Sequence, residues 1–176
     1  LCHHHGMKRL LPVLMGFVVL LLSSTEGWTA DFQKGLTAYK NGDFANALRE
    51  WEPLAKQGHK HAQHNLGWIY ENGNGVPRNH KTAVKWYRLS AEQGHVGAQT
   101  NRGAMFAFGK GVIQDNIYAH MWWNIAASPE NKDATEKRDI LARKKRDILA
   151  KKMIPSQIAK AQKLARECVK KNYKGC

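Results

Sequence analysis

Residues 58–93 and 94–129 align without a gap at an offset of 36, and twelve of the 36 positions are identical. The matches are Gly58/Gly94, His59/His95, Ala62/Ala98, Gln63/Gln99, Asn65/Asn101, Gly67/Gly103, Gly73/Gly109, Gly75/Gly111, Val76/Val112, Ala83/Ala119, Trp86/Trp122 and Ala91/Ala127. They fall at helical spacing: Ala62, Leu66 and Tyr70 make one stripe, and Ala83, Trp86, Tyr87 and Ala91 a second. Between the stripes, Gly73-Asn74-Gly75-Val76-Pro77 supplies glycine for a left-handed helix end and proline for the approach to the next helix. A repeat of this length built from two helices buries its apolar faces only by stacking on its neighbours, and about three copies are needed. The expected fold is therefore all-α, an α/α solenoid of helix-turn-helix repeats.

A third copy precedes these two. It runs from Asp31 to Gln57, with Ala38 and Tyr39 before Asn41-Gly42-Asp43, then Ala47, Leu48, Trp51 and Ala55. Tyr39 to Ala47 spans 8 positions where Tyr70 to Ala83 spans 13, so the first linker is shorter by five residues. The repeats are thus expected at 31–57 (shortened), 58–93 and 94–128, followed by a C-terminal cap over 129–176.

The whole chain of 176 residues carries a net charge of +14, which favours polyanionic partners or solubility and says nothing about fold. Residues 131–176 hold 15 lysines and arginines against 5 acids, so most of the excess sits in the cap. Within it, Lys137-Arg-Asp-Ile-Leu-Ala-Arg-Lys144 is repeated at once as Lys145-Arg-Asp-Ile-Leu-Ala-Lys-Lys152. An eight-residue shift turns a helix about 80° beyond two turns, so the apolar faces of the two copies do not coincide. Ala134, Leu141 and Ile148 can share one stripe, which predicts a weakly amphipathic, partly solvated helix. A second helix after Pro155 has Ile158, Ala161, Leu164, Ala165 and Cys168 on its apolar side and would close the solenoid.

From Met7 the chain shows a basic pair, Lys8 and Arg9, then the apolar run Leu10–Leu22, then small polar residues to Ala30. That is the layout of a secretory signal peptide. The run has 13 residues and contains Pro12, whereas a membrane-spanning helix needs about 20. The expected product is cleaved near Ala30, has no transmembrane anchor and resides in the periplasm or outside the cell. Residues 1–6 read as upstream sequence. In an oxidising compartment Cys168 and Cys176 favour a bridge closing a nine-residue loop. Two free thiols or an intermolecular bridge are the alternatives.

Candidate chemistry is sparse. His61 and His64 lie on adjacent turns of one helix face, but no Asp, Glu or Cys completes a ligand set, and His59 and His95 recur where a helix begins. Gly73-x-Gly75 and Gly109-x-Gly111 follow no strand and continue as no phosphate loop, so they read as interhelical turns. The recurrence of Trp86-Tyr87 as Trp122-Trp123 places these aromatics in the core. No nucleophile elbow or Ser-x-x-Lys box is present, no zinc spacing occurs, and no motif for nucleic acid is visible. Neither a catalytic site nor a cofactor is expected.

Ala62-Gln-His-Asn-Leu-Gly67, Gly73-Asn-Gly-Val-Pro77, Ala83-Val-Lys-Trp-Tyr87 and Ala91-Glu-Gln-Gly94 together resemble the Sel-one-like (suppressor-of-lin-twelve-like) repeat, a relative of the tetratricopeptide repeat. The resemblance spans about 31–128 and implies a right-handed superhelix serving as a non-catalytic protein-interaction scaffold, often in the bacterial envelope. By analogy with tetratricopeptide repeats, the inner face would present His61, His64, Trp68 and Glu71 from the second unit and Thr100 and Phe108 from the third. Two departures from the pattern are Arg102, where the preceding repeat has Leu66, and Ser128-Pro129-Glu130, where it has Glu92-Gln93-Gly94. Cysteine-rich relatives are associated with β-lactam binding or hydrolysis through a cysteine pair in each repeat, and this chain has no cysteine in its repeats. An enzyme of that kind is one alternative to the scaffold. The other is salt-sensitive binding of acidic envelope lipid or polymer by the basic C-terminal region.

Overall fold

A computed structural model describes residues 32–128 and 136–176, with side chains in the second segment from residue 140 onward. The leader (1–30) and Ala134 lie outside the described residues. Eight helices and no strand are found among them: α1 (residues 32–40), α2 (Phe44–Lys56), α3 (Lys60–Asn72), α4 (His80–Ala91), α5 (Val96–Phe108), α6 (Asn116–Ala126), α7 (Glu136–Ala150) and α8 (Pro155–Lys170). The antiparallel pairs α1–α2, α3–α4 and α5–α6 stack in chain order, and α7 and α8 both pack on α6.

The repeat period is written into the helix ends. Each second helix opens on an Asx cap at intervals of 36: Asp43 accepts from Asn46 N, Asn79 from Thr82 N, and Asp115 from Ile117 N and Tyr118 N. The first helices of the second and third units use histidine instead. His59 Nδ1 accepts from Ala62 N and His95 Nδ1 from Ala98 N, both at 3.1 Å. Gly73 and Gly109 end these helices at φ 76° and 63°, a left-handed conformation that glycine adopts without strain.

Between units, a buried glutamine joins one first helix to the end of the preceding second helix. Gln63 Nε2 donates to Ala55 O and Gln99 Nε2 to Ala91 O. Within units, a glycine of the first helix makes room for an aromatic ring of the second. A Cβ on Gly35 would come within 2.3 Å of Trp51, one on Gly67 within 2.6 Å of Tyr87, and one on Gly103 within 2.6 Å of Trp123. The two tryptophans dock identically, with Trp51 Nε1 donating to Phe32 O and Trp123 Nε1 to Thr100 O, each carbonyl lying three residues before its glycine.

The predicted stripe of α7 is corrected by one residue. Leu141 and Ile148 are exposed, as is Ile140, while Ala142 and Leu149 are buried. The surface of α6 decides the rotation. Lys145 places its ammonium 5.9 Å from the Trp123 ring centre, and Arg146 Nη1 donates to Asn124 Oδ1 at 3.3 Å. Laying these two long stems along α6 turns Ala142 and Leu149 inward and Ile148 outward. On α8, Ala161, Ala165 and Cys168 are buried with Ile158 and Leu164 partly covered, and Cys168 is joined to Cys176.

Two histidines should make the fold acid-sensitive. Burial holds the His59 imidazole below its ordinary value, and burial together with the Arg146 charge does the same for His120. Between 6.5 and the lower folded values the unfolded chain binds more protons, so their contribution is complete above pH 6.5 and is lost as pH falls through the folded values. Urea midpoints should therefore fall steadily from pH 7.5 to 5. His59→Ala should lose about 1 kcal/mol of capping at neutral pH and show a shallower acid slope, and an unchanged slope would remove His59 from this account.

Candidate binding face

The first helices meet through side chains, α1 and α3 at Tyr39 and Trp68, α3 and α5 at His64 and Asn101, and α7 packs on α6 and α5. Between α1, α2 and α3 lies an open slot of about 210 Å³ bounded by Leu36, Tyr39, Trp51, His64, Asn65 and Trp68. Trp51 forms its floor and belongs to the core, while Trp68 stands at the rim, 42% exposed. Trp68 Nε1 donates to the Tyr39 hydroxyl at 2.8 Å, and Asn74 Nδ2 reaches the same oxygen at 3.5 Å. A half-exposed tryptophan held by its polar edge keeps its apolar face presented at little entropic cost to a ligand.

His64 is fixed on both ring nitrogens. Asn101 Nδ2 donates to Nε2 at 3.3 Å, which leaves Nδ1 to carry the proton donated to Asn65 Oδ1 at 3.3 Å. Its ring lies 4.6 Å from that of His95, and His61 meets His95 edge-on at 4.9 Å. His61 also approaches Phe32 and His59, so it packs in the seam between units. Among the described residues no three His, Cys, Asp or Glu side chains are placed to hold one metal ion.

In the middle unit the corresponding slot is filled. Glu71 takes the place of Tyr39, accepts the Tyr87 hydroxyl at 2.9 Å and pairs with Lys110 at 3.2 Å. Burial, reinforced by the Glu71 charge, pushes the Tyr87 hydroxyl upward, so it remains a donor. Glu71 is thus mostly spent on intramolecular bonds.

Of the remaining residues expected on this face, Phe108 is 69% exposed at the end of α5. Thr100 is corrected: it is buried at 4% exposure and presents no surface. It occupies the repeat position of His64, but a threonine side chain is too short to reach outward from there, and its backbone carbonyl is taken by Trp123. The six residues therefore do not form one patch. His64 and Trp68 share the N-terminal slot, His61 lies in the adjoining seam, Glu71 is in the closed middle slot and Phe108 stands apart. Leu36, Tyr39, Trp51 and Asn65 complete the slot and were not reached from sequence. Their signal is the glycine-to-aromatic spacing, 16 in the first unit (Gly35 to Trp51) and 20 in the others, which pairs Tyr39 with Glu71 and corrects the shortening of the first linker from five residues to four.

Residues 60–95 and 96–128 each match the family model described as Sel1 repeat. The chain is similar to a crystal structure of a protective antigen present in uropathogenic Escherichia coli strains and displaying an SLR fold, with 26% identity and a TM-score of 0.74 over 86% of this chain and 32% of that one. It is also similar to the crystal structure of a Sel1 repeat protein from Oxalobacter formigenes, with 29% identity and a TM-score of 0.58 over 66% of this chain and 45% of the other. The chain thus spans about a third of the first of these and under half of the second. No curated protein matches it.

Proposed function

Residues 60–128 of this chain are two Sel1 repeats, a kind of repeat that typically mediates protein–protein interaction, and from that premise we propose that it is a non-catalytic adaptor which grips a partner protein on its inner face. The observation that carries this reading is the N-terminal slot, an open recess with an aromatic floor, a preorganised tryptophan at its rim and a fixed histidine beside it. Concave sites of this kind, mostly apolar with a few oriented polar groups, are where proteins hold an inserted side chain.

Export to the bacterial periplasm or beyond belongs to the same proposal. The Cys168–Cys176 bridge fits an oxidising compartment, and no described helix is long and apolar enough to cross a membrane. No group of residues in the slot is arranged as nucleophile, base and orienting partner, which favours binding over β-lactam chemistry.

The test is chemical cross-linking of the full chain to envelope extract, with the linked residues mapped by mass spectrometry. A discrete partner linked through α1 and α3 and retained at high salt is the expected result. Trp68→Ala with His64→Ala should weaken that complex about 30-fold or more, the loss of one aromatic anchor and its neighbour, while thermal unfolding changes little. Capture unchanged by the double substitution would remove the slot from the interface.

A further inference from the structure

The inner-face slot recurs once more, and there it is open for a different reason. Position 107 in the third unit corresponds to Glu71 in the second and Tyr39 in the first, each four residues after the packing glycine. Tyr39 stands in the wall of the first slot and Glu71 fills the second, but Ala107 fills nothing. The result is a recess of about 420 Å³ over Trp123, the ring equivalent to Trp51 and Tyr87. Its far wall is α7, which stands where the first helix of a fourth unit would, and presents Ile148 and Leu149 to the recess.

The rim is cationic. Among the described residues Lys145 and Lys152 both line the recess, no carboxylate does, and neither lysine is in an ion pair. Residues 140–152 carry six basic side chains against the single Asp147. Lys145 is half-buried beside Trp123, and its desolvation lowers its proton affinity against an opposing pull from Glu71, with Lys110 adding to the lowering. Glu71 is already held by Tyr87 and Lys110. An incoming carboxylate would restore to Lys145 the counter-charge that its burial leaves missing. Phe108, largely exposed, extends the apolar surface at the mouth.

We propose that this recess is a second binding site, taking an apolar side chain of a partner protein whose neighbouring residues are acidic. The apolar side chain would sit over Trp123 between Ala107 and Ile148, with flanking carboxylates on Lys145 and Lys152. A planar bilayer does not enter a recess between helices, whereas one peptide side chain does. The site rests on the adaptor reading and gives it a chemical preference: an extended segment crossing the inner face would meet an aromatic slot at one end and this charged one at the other.

The test is an NMR titration of the full chain, labelled with ¹⁵N, with the peptide GEELEEG. The Trp123 indole and Leu149 amide signals should move. The peptide with glycine in place of leucine should bind more weakly, and GKKLKKG should leave both signals unmoved. Lys145→Gln with Lys152→Gln should weaken GEELEEG about fivefold, as expected for two partly exposed ion pairs, and added salt should do the same. Ala107→Glu recreates the plug of the middle unit and should abolish the shifts with an otherwise native spectrum. Ala107→Met fills the recess without charge and serves where the glutamate variant does not fold. Equal binding by the filled variants, or by the lysine-flanked peptide, would overturn the site. Binding of phosphatidylglycerol vesicles that ignores the filling of the recess, with no response to GEELEEG, would also overturn it by assigning the cations to lipid. Failure here with partner capture still sensitive to Trp68→Ala would leave the adaptor reading standing, and the reverse outcome would discard that reading of the first slot alone.

Discussion

Tyr87→Ala should lower the unfolding free energy by about 3–5 kcal/mol, and Tyr87→Phe by only about 1–2 kcal/mol. Tyr87 has no exposed surface and its ring lies against Gly67, where no side chain could fit. Removing the ring opens a cavity that cannot collapse, because α3 and α4 are held apart by the packing on either side: Leu66 and Ile69 against the first unit, Ala83 and Ala91 against the third. The phenylalanine variant keeps the ring and loses the hydroxyl's bonds to Glu71, which retains Lys110 at 3.2 Å, and to Asn101. In a stack whose units are stable only against their neighbours, damage at the central unit reaches both interfaces. Since a domain of this size has about 5–15 kcal/mol in total, the alanine variant should be partly unfolded at 37 °C. Urea unfolding followed by circular dichroism checks the pair. An alanine variant no less stable than the phenylalanine one would show that the ring does not lock the two helices.

Much of this was legible in the sequence because a repeat supplies its own control: what recurs at 36 positions is what every unit needs. The helix pairs, the turns at Gly73 and Gly109, the placing of His59 and His95 at helix starts and the burial of Tyr87, Trp122 and Trp123 all follow from recurrence. What recurrence cannot show is how a position differs between units. Thr100 inherits its expected exposure from His64 and is buried, since the two side chains differ in reach. The N-terminal slot escapes because the shortened first linker shifts α1 and not α2: Trp51 keeps the 36-residue offset from Tyr87 and Trp123, but Gly35 and Tyr39 stand 32 residues before Gly67 and Glu71. In α7 the duplication offers two equivalent apolar pairs, Ile140-Leu141 and Ile148-Leu149, and only the contacts of Lys145 and Arg146 with α6 choose between the registers. Those contacts join elements 22 residues apart and have no local signature.

Arg102 shows the same limit from the other side, and it sets the second large effect. In the preceding repeat this position is Leu66, fully buried, and here a guanidinium occupies the same core site at 6% exposure. Burial pushes its pKa down to about 10, and among the described residues its Nε and Nη1 lack hydrogen-bond partners. The Glu92 charge and two contacts compensate: the guanidinium stacks 4.3 Å from the Trp122 ring centre, and Nη2 donates to the carbonyl of Cys176 at 3.3 Å. That carbonyl is held in place by the Cys168–Cys176 bridge, and Tyr173 of the same turn packs on Gly94. The bridge therefore does more than shorten the unfolded chain. Closing a nine-residue loop is worth about 2.6 kcal/mol by chain entropy, and releasing the tail also takes an acceptor from a buried cation, about 1–2 kcal/mol more. Reduction should thus destabilise the native chain by about 4 kcal/mol. In Arg102→Leu, which restores the residue of the preceding repeat, reduction should remove only the entropic part, and the oxidised variant should be as stable as the native chain or more so. Urea unfolding of both chains with and without dithiothreitol closes this cycle, and its coupling term isolates the Arg102–tail contact. Equal losses in the two chains would mean that the C-terminal turn does not stabilise Arg102. A reduced native chain as stable as the oxidised one would remove the bridge itself from the forces that close the solenoid.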